Sequence, residues 1–272
     1  MRCEILDVRN EQSMEYAKLY TYLLEDSQEI PIRKRPMIIV CPGGSYVMTS
    51  DREGEMIALQ FAAMGYHAAV LRYSVTPAVF PAAALELGRA IALIRQQTDE
   101  WFVDGDKIII AGFSAGGHMT ASYGVFWQQD WMAQRLGVAK ELLRPNAMIL
   151  GYPVITSGEY AHKDSIVNLL GESYEARKEE MSLEKQVTEH TPKTFIWHTY
   201  EDNVVPVQNS LLFVNALVEK GIPVEFHLFE KGLHGLGLAN RLTLANDGFG
   251  IEPGAAEWVK LVHNWLEGIA TL

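Results

Sequence analysis

The chain has 272 residues, of which 23 are basic and 34 acidic, so its formal net charge is −11. This balance argues against nucleic acid and against a membrane surface as partners, because both carry negative charge. No run of about 18 uninterrupted apolar residues occurs, so no transmembrane helix is expected. Charges interrupt the first residues before an apolar core forms, so we expect no signal peptide and predict a cytoplasmic protein.

Helical and strand patterns alternate along the chain. Short apolar runs bounded by glycine and proline predict strands at 15–25 (an edge strand), 37–41, 66–73, 107–111, 147–150, 194–198 and 224–229. Apolar residues at helical spacing predict helices at 52–64, 81–97, 114–126, 207–220 and 254–268. This alternation is typical of an α/β fold with a mostly parallel central sheet and helices on both faces.

Residues 154–192 interrupt the alternation. They are polar and irregular, and only 182–189 carry a weak helical pattern. An insertion between two core strands is typical of a cap or lid over a site. No repeat or low-complexity linker divides the chain, so we predict a single domain over 1–272 that carries this insertion.

The two cysteines, Cys3 and Cys41, are too few for a disulfide framework. Cys41 ends an apolar run, and we expect it to be a free thiol buried in a strand. Sparse cysteine is typical of a reducing compartment.

The run Gly112-Phe113-Ser114-Ala115-Gly116 matches the pattern Gly-x-Ser-x-Gly. The pattern alone is weak evidence, because it arises by chance in roughly one chain in ten of this length. Here a predicted strand precedes it and a predicted helix follows it, which is the context of a nucleophile elbow. Such a turn strains the serine backbone, and the flanking glycines let neighbouring backbone pass close. A Rossmann-type glycine turn is the alternative, but no Gly-x-Gly-x-x-Gly follows the first strand.

A serine nucleophile needs a general base, since its hydroxyl is scarcely ionised at neutral pH. His234 is the best candidate, because it stands in a glycine-flanked loop after a predicted strand. Asp202 follows the strand 194–198 and is the expected orienting carboxylate, with Glu201 and a plain helix-capping role for Asp202 as alternatives. The chain order Ser114, Asp202, His234 is that of the α/β-hydrolases.

The other histidines have weaker contexts. His198 ends a strand, where we expect it in the core or beside a site residue, and His118 is expected to pack or to hydrogen-bond a loop. The remaining five lack a matching context: His67, His162, His190, His227 and His263. No two histidines stand at the i, i+4 spacing of a metal helix motif, so we predict neither a metal nor a cofactor.

The run Pro42-Gly43-Gly44-Ser45-Tyr46 follows the strand 37–41. Its glycines let backbone N–H groups approach a carbonyl oxygen closely. Together with the N–H of Ala115 they would stabilise a tetrahedral intermediate. An ordinary glycine turn is the alternative.

These motifs together resemble the esterase/lipase branch of the α/β-hydrolases that has a His-Gly-Gly-Gly-type loop, and within it the bacterial acetyl esterases and acetyl-xylan-esterase-like carbohydrate esterases. The similar segments are 42–46, 72–85, 112–118, 198–209 and 229–238.

The resemblance implies Ser114 as nucleophile, His234 as base and Asp202 as acid. It also implies oxyanion donors at Gly44, Ser45 and Ala115. Two departures from the family pattern stand in the loop: Pro42 replaces the usual histidine of many lipases, and Ser45 replaces the third glycine. Which of Gly43, Gly44 and Ser45 donates is therefore left open.

The expected function is hydrolysis of small esters that carry a short acyl group, such as acetyl, on a sugar or another alcohol. A peptidase of the prolyl-oligopeptidase type is the alternative, although such enzymes usually carry an accessory domain for which this chain has no room. A non-catalytic binding protein on the same fold is less expected, because all three triad residues are present. The oligomeric state is left open, with a homodimer as one alternative.

Aromatic residues near the motifs are candidates for a sugar platform. Tyr46 and Tyr200 are the tentative pocket residues, and Tyr152 and Trp197 are further candidates. A position in the ordinary core suits each of these side chains at least as well.

Overall fold

The strands of the computed structural model, which describes residues 1–270, form one eight-stranded sheet. Residues 271 and 272 of the predicted domain lie outside the described part. The strands are β1 (Arg2–Asp7), β2 (Lys18–Leu23), β3 (Arg35–Cys41), β4 (His67–Arg72), β5 (Val103–Phe113), β6 (Ala147–Gly151), β7 (Lys193–Thr199) and β8 (Val224–Phe229). Their order is β1-β2-β4-β3-β5-β6-β7-β8, and β2 is antiparallel to both neighbours while all other pairs are parallel.

Helices cover both faces of this sheet. They are α1 (Glu55–Ala63), α2 (Ala82–Gln96), α3 (Ala115–Phe126), α4 (Asp130–Leu136), α5 (Lys163–Leu170), α6 (Tyr174–Arg177), α7 (Gln208–Glu219), α8 (Pro253–Ala256) and α9 (Trp258–Ala270). One core cluster lies between the sheet and α2, α3 and α7, and the other lies between the sheet and α1 and α9. Among the helices of residues 1–270, none is long and apolar enough to cross a membrane.

The central strand β3 shows how the sequence produces this layering. Met37, Ile39 and Cys41 point to the α3 side, and Ile38 and Val40 point to the α1 side. All five side chains are completely buried, so the strand is an uninterrupted apolar run rather than an alternating one. The predicted α/β fold with a mostly parallel sheet is confirmed.

Two predicted elements differ from the structure, and two elements outside the insertion were not predicted. The segment 15–25 contains β2, which is an interior strand, because β1 pairs with its outer side and forms the edge. The helix predicted over 254–268 is two helices, α8 and α9, which meet at Glu257. The strand β1 and the helix α4 were not predicted at all.

The insertion 154–192 is more ordered than its sequence suggested. It contains α5, α6 and three 3-10 turns, and the weak helical pattern at 182–189 corresponds only to the turn Leu183–Lys185. Eight of its apolar side chains belong to the core cluster beside α3: Val154, Ile155, Ile166, Leu169, Leu170, Met181, Leu183 and Val187. The insertion is therefore packed onto the domain.

Both cysteines are free thiols, with Cys3 exposed and Cys41 completely buried. The prediction of a free, buried Cys41 is confirmed.

Candidate active site

Ser114 occupies a tight turn between β5 and α3, at φ 54° and ψ −122°. This conformation is unfavourable for a residue with a side chain, and the surrounding backbone fixes it. A Cβ on Gly112 would overlap the Gly116 carbonyl, and a Cβ on Gly116 would overlap the Cys41 carbonyl. The glycines flanking Ser114 are thus required by close backbone approach, as the motif predicts.

Ser114, His234 and Asp202 form one hydrogen-bonded series. The Ser114 Oγ lies 2.7 Å from His234 Nε2, and His234 Nδ1 lies 2.7 Å from Asp202 Oδ2. Because a carboxylate can only accept, His234 Nδ1 carries the proton and Nε2 accepts the serine O–H. The structure thus brings together the three residues that the sequence assigned to the triad, across 120 and 32 positions of the chain.

Asp202 is buried, and every contact to its carboxylate is a donor. Its Oδ1 accepts the amides of Val204 and Val205 at 3.0 and 2.9 Å, and its Oδ2 lies 3.2 Å from His198 Nε2. Burial would raise the pKa of Asp202, but the hydrogen bonds from His198 and His234 outweigh it and hold the pKa below its ordinary value. The group therefore stays ionised at neutral pH. Glu201, the alternative, is exposed and accepts the Gly232 amide instead.

His198 is completely buried next to the triad. Its Nε2 faces both the Val205 carbonyl at 2.9 Å and Asp202, and its Nδ1 lies 2.7 Å from Ser210 Oγ. Two acceptors at Nε2 place the proton on that nitrogen, so Nδ1 accepts the serine hydroxyl. The prediction that His198 lies in the core beside a site residue is confirmed.

The segment 42–48 after β3, here called the glycine loop, has a left-handed backbone over three consecutive residues. Gly44, Ser45 and Tyr46 have φ of +131°, +54° and +58°. The Gly43 amide donates to Glu53 Oε2 at 2.7 Å, so it is already satisfied. Within residues 1–270, the amides of Gly44 and Ser45 have no acceptor. The first helical amide, that of Ala115, has no partner within its helix.

Glu53 is a buried residue that the sequence did not single out. Its carboxylate accepts the Gly43 amide and, at 2.6 Å, the Tyr152 hydroxyl, whose oxygen in turn accepts the Gly237 amide at 2.9 Å. Burial and the Glu53 charge raise the pKa of Tyr152 well above its usual range, so its hydroxyl keeps its proton. Glu53 therefore joins the glycine loop to the loop of His234, whose ring packs edge-on against Tyr152.

Tyr46, predicted as a pocket residue, lies in the core instead. Its hydroxyl is 2.9 Å from His118 Nδ1, and the ring is 2% exposed. Tyr152 and Trp197 are also buried, whereas Tyr200 is 69% exposed and therefore accessible to a ligand. Tyr46 has a left-handed backbone and a buried side chain, neither of which the sequence pattern reveals.

His118 links the glycine loop to the insertion. Its Nε2 lies 3.1 Å from the Met181 carbonyl, so Nε2 carries the proton and Nδ1 accepts the Tyr46 hydroxyl. Burial lowers the pKa of His118 to about 4, which keeps the ring neutral. The predicted hydrogen bond from His118 to a loop is confirmed.

Helix α5 of the insertion lies near both the glycine loop and His234. Asn168 Nδ2 donates to the Ser45 carbonyl at 2.9 Å. His162, immediately before α5, is half-buried; burial and then the charge of His234 lower its pKa. No role could be assigned to His162 from the sequence, because its place beside the triad depends on how the insertion folds.

Exposed apolar side chains stand on the three loops that carry the site. They are Val47 and Met48 on the glycine loop, Tyr200 and Val204 on the Asp202 loop, and Leu233 beside His234. Within residues 1–270, no three histidine, cysteine or carboxylate side chains are grouped as a metal ion would require.

Two curated proteins are similar to this chain over most of its length. An endo-1,4-beta-xylanase B of Butyrivibrio fibrisolvens is 42% identical over 82% of the chain, and an acetylxylan esterase of Xylanibacter ruminicola is 29% identical over 74% of it. The aligned regions are 35% and 41% of those proteins, so the chain spans well under half of their length.

Solved structures match nearly the whole chain. An acetyl ester-xyloside bifunctional hydrolase from Caldicellulosiruptor lactoaceticus is 35% identical, with a TM-score of 0.82 over 98% of this chain and 96% of that one. A carboxylesterase from Lactobacillus plantarum is 31% identical, with a TM-score of 0.86 over 100% and 99%. The BD-FAE family model matches residues 26–217. The chain thus belongs to the BD-FAE family, in the esterase branch of the α/β-hydrolase fold that includes acetyl-xylan-esterase relatives.

Proposed function

We propose that the chain is a serine esterase that removes short acyl groups, acetyl above all, from sugars or other small alcohols. The observation that carries this proposal is the series Ser114, His234 and Asp202, joined by two hydrogen bonds of 2.7 Å on a strained elbow. The substrate class is supported by the names of the relatives, which include an acetylxylan esterase and an acetyl ester-xyloside hydrolase.

Acylation begins when Ser114 Oγ attacks the ester carbonyl carbon and His234 Nε2 takes the hydroxyl proton. Asp202 stabilises the imidazolium and stays ionised, which its lowered pKa favours. The oxyanion accepts hydrogen bonds from free amides, for which Gly44, Ser45 and Ala115 are the candidates. His234 then protonates the alcohol oxygen, the ester C–O bond breaks, and the acyl group remains on Ser114.

Deacylation repeats these steps with water as the nucleophile. His234 takes a proton from water, whose oxygen attacks the acyl carbon and regenerates the oxyanion. Collapse breaks the bond to Ser114 Oγ, which recovers its proton from His234, and the carboxylic acid leaves.

The test is the hydrolysis of p-nitrophenyl acetate by the wild type and by Ser114→Ala. Removal of the nucleophile is expected to lower kcat/KM by a factor of about 10⁴ or more. Ser173→Ala, a change at an exposed serine of the insertion, serves as the matched control and should keep wild-type activity. Full activity in Ser114→Ala would refute the proposed mechanism.

A substrate panel tests the proposed specificity. We expect acetyl and propionyl esters to react faster than octanoyl esters, and acetylated xylo-oligosaccharides to release acetate. An aminoacyl arylamide tests the peptidase alternative, and its faster hydrolysis would overturn the esterase assignment. Labelling of Ser114 by a fluorophosphonate is expected, and its absence would favour a non-catalytic protein.

A further inference from the structure

The glycine loop contains an unusual backbone conformation at residues that have side chains. Ser45 and Tyr46 both adopt positive φ, directly after Gly44. This left-handed region is unfavourable for residues with a Cβ, so it persists only where neighbouring groups hold it in place. The contacts that hold it are therefore expected to influence the amides exposed by the loop.

The two strained residues are held from different directions. The Tyr46 carbonyl accepts the Thr76 amide at 2.9 Å, and the Tyr46 hydroxyl is bound by His118. The Ser45 carbonyl accepts the side-chain amide of Asn168 at 2.9 Å, and in residues 1–270 it has no second donor. Asn168 thus makes the contact on which the orientation of the Ser45–Tyr46 peptide depends.

Asn168 projects from a well-anchored helix. Its neighbours on α5 are buried: Ile166, Leu169 and Leu170 are at most 5% exposed. The Leu169 carbonyl also accepts the Phe80 amide at 2.8 Å. Since α5 is fixed by these contacts, the Asn168 side chain is presented to the glycine loop from a rigid base.

We propose that Asn168 is a positioning residue for the oxyanion hole. By binding the Ser45 carbonyl it keeps Ser45 left-handed, so that the free amides of the loop face the position of the oxyanion. Asn168 acts through the loop and does not touch the reacting atoms. This inference rests on the proposed function, because an oxyanion forms only if Ser114 attacks an acyl carbon.

The first test is Asn168→Ala, measured by steady-state kinetics on p-nitrophenyl acetate. Misplaced oxyanion donors weaken the transition state more than the bound ester, so kcat is expected to fall about tenfold while KM changes less than about twofold. Asn168→Asp should lose at least as much, because a carboxylate cannot donate to a carbonyl. Asn215→Ala on the exposed side of α7 is the matched control and should leave both constants unchanged.

The second test is rescue by Ser45→Gly. Glycine adopts positive φ without a steric penalty, so the loop no longer depends on the Asn168 contact. In the Asn168→Ala background, Ser45→Gly is expected to raise kcat at least about threefold. In the wild-type background the same substitution should not raise kcat. A merely structural role of Asn168 would lower the melting temperature and would not produce this non-additive effect on kcat.

The outcomes separate this inference from the proposed function. Active sites are titrated with a fluorophosphonate so that kcat refers to folded enzyme. Wild-type kcat in Asn168→Ala, or strictly additive effects of the two substitutions, would overturn the role of Asn168 while Ser114→Ala stays inactive. An active Ser114→Ala variant would instead refute the proposed function itself.

Discussion

Glu53 is a buried carboxylate that joins the glycine loop to the loop of His234. It is 4% exposed and accepts one donor from the glycine loop and one from Tyr152. A buried acceptor that serves two donors is sensitive to small changes, because either donor becomes unsatisfied when it is lost. The position of Gly43 and the packing of the His234 ring on Tyr152 both depend on it.

We predict that Glu53→Gln lowers kcat about tenfold with a smaller change in KM. Glutamine has one oxygen, so its NH₂ group must face either the Gly43 N–H or the Tyr152 hydroxyl, and the loops shift. Steady-state kinetics with short-chain esters and a thermal melt measure the effect. The matched control is Glu29→Gln at an exposed position. Wild-type kcat in Glu53→Gln would show that the network has no role in positioning.

Single residues also mark the limit of prediction from sequence. Ser114, Asp202 and His234 could be predicted because each lies in the loop that follows a predicted strand, and parallel strands bring their carboxyl ends to one edge of the sheet. Glu53 and Asn168 could not, because neither stands in a motif: Glu53 contacts Tyr152, which lies 99 positions away, and Asn168 contacts Ser45, which lies 123 positions away in the chain. No local pattern encodes such a contact.

At the scale of secondary-structure elements, strands buried on both faces were the easiest to predict. β3, β6 and β7 are close to their predicted ranges, since an apolar run bounded by turn residues is a strong signal. β1 has no such signal, because its residues are exposed or half-buried and include three charges in six residues. An edge strand of this kind is stabilised by pairing with β2 rather than by its own burial.

Helix α5 shows the opposite limit. It has only eight residues, and a helix of that length is not stable alone. Its Ile166, Leu169 and Leu170 become buried only when the insertion packs against the domain. The insertion could therefore be located from the sequence, while the helix that brings Asn168 to the glycine loop could not.

At the scale of the whole molecule, a buried neutral histidine couples stability to pH. The pKa of His118 is about 4 because of burial, against an ordinary value of 6.5. Between these values the unfolded chain binds a proton that the folded chain excludes, so the free energy of unfolding falls as the pH drops from 6.5 to 4. The loss from this residue amounts to about 3 kcal/mol at pH 4.

We therefore predict that the wild type loses about 2 kcal/mol more stability than His118→Gln when the pH is lowered from 7 to 4.5. Urea unfolding of both proteins at the two pH values measures the difference, and contributions from the carboxylates common to both cancel. Equal losses in the two proteins would show that His118 does not exclude its proton when folded.

Of the two thiols of the chain, one is accessible to thiol-reactive reagents and the other is buried. Burial raises the pKa of Cys41 to about 12, whereas Cys3 is exposed near the start of β1. Because β1 and β4 are both antiparallel to β2, β1 runs in the same direction as β5, so Cys3 lies toward the amino ends of these strands and Ser114 lies at the carboxyl end of β5. Four strand spacings, about 19 Å in total, separate β1 from β5.

A maleimide should therefore couple to the folded chain with a stoichiometry of one, and to Cys3→Ser not at all, since only an accessible thiolate reacts. Intact-mass spectrometry measures this, and modification of Cys41 in native buffer would contradict it. An enzyme tethered to a solid support through Cys3 would stand with its catalytic edge turned toward the flowing medium, so immobilisation should leave its turnover intact.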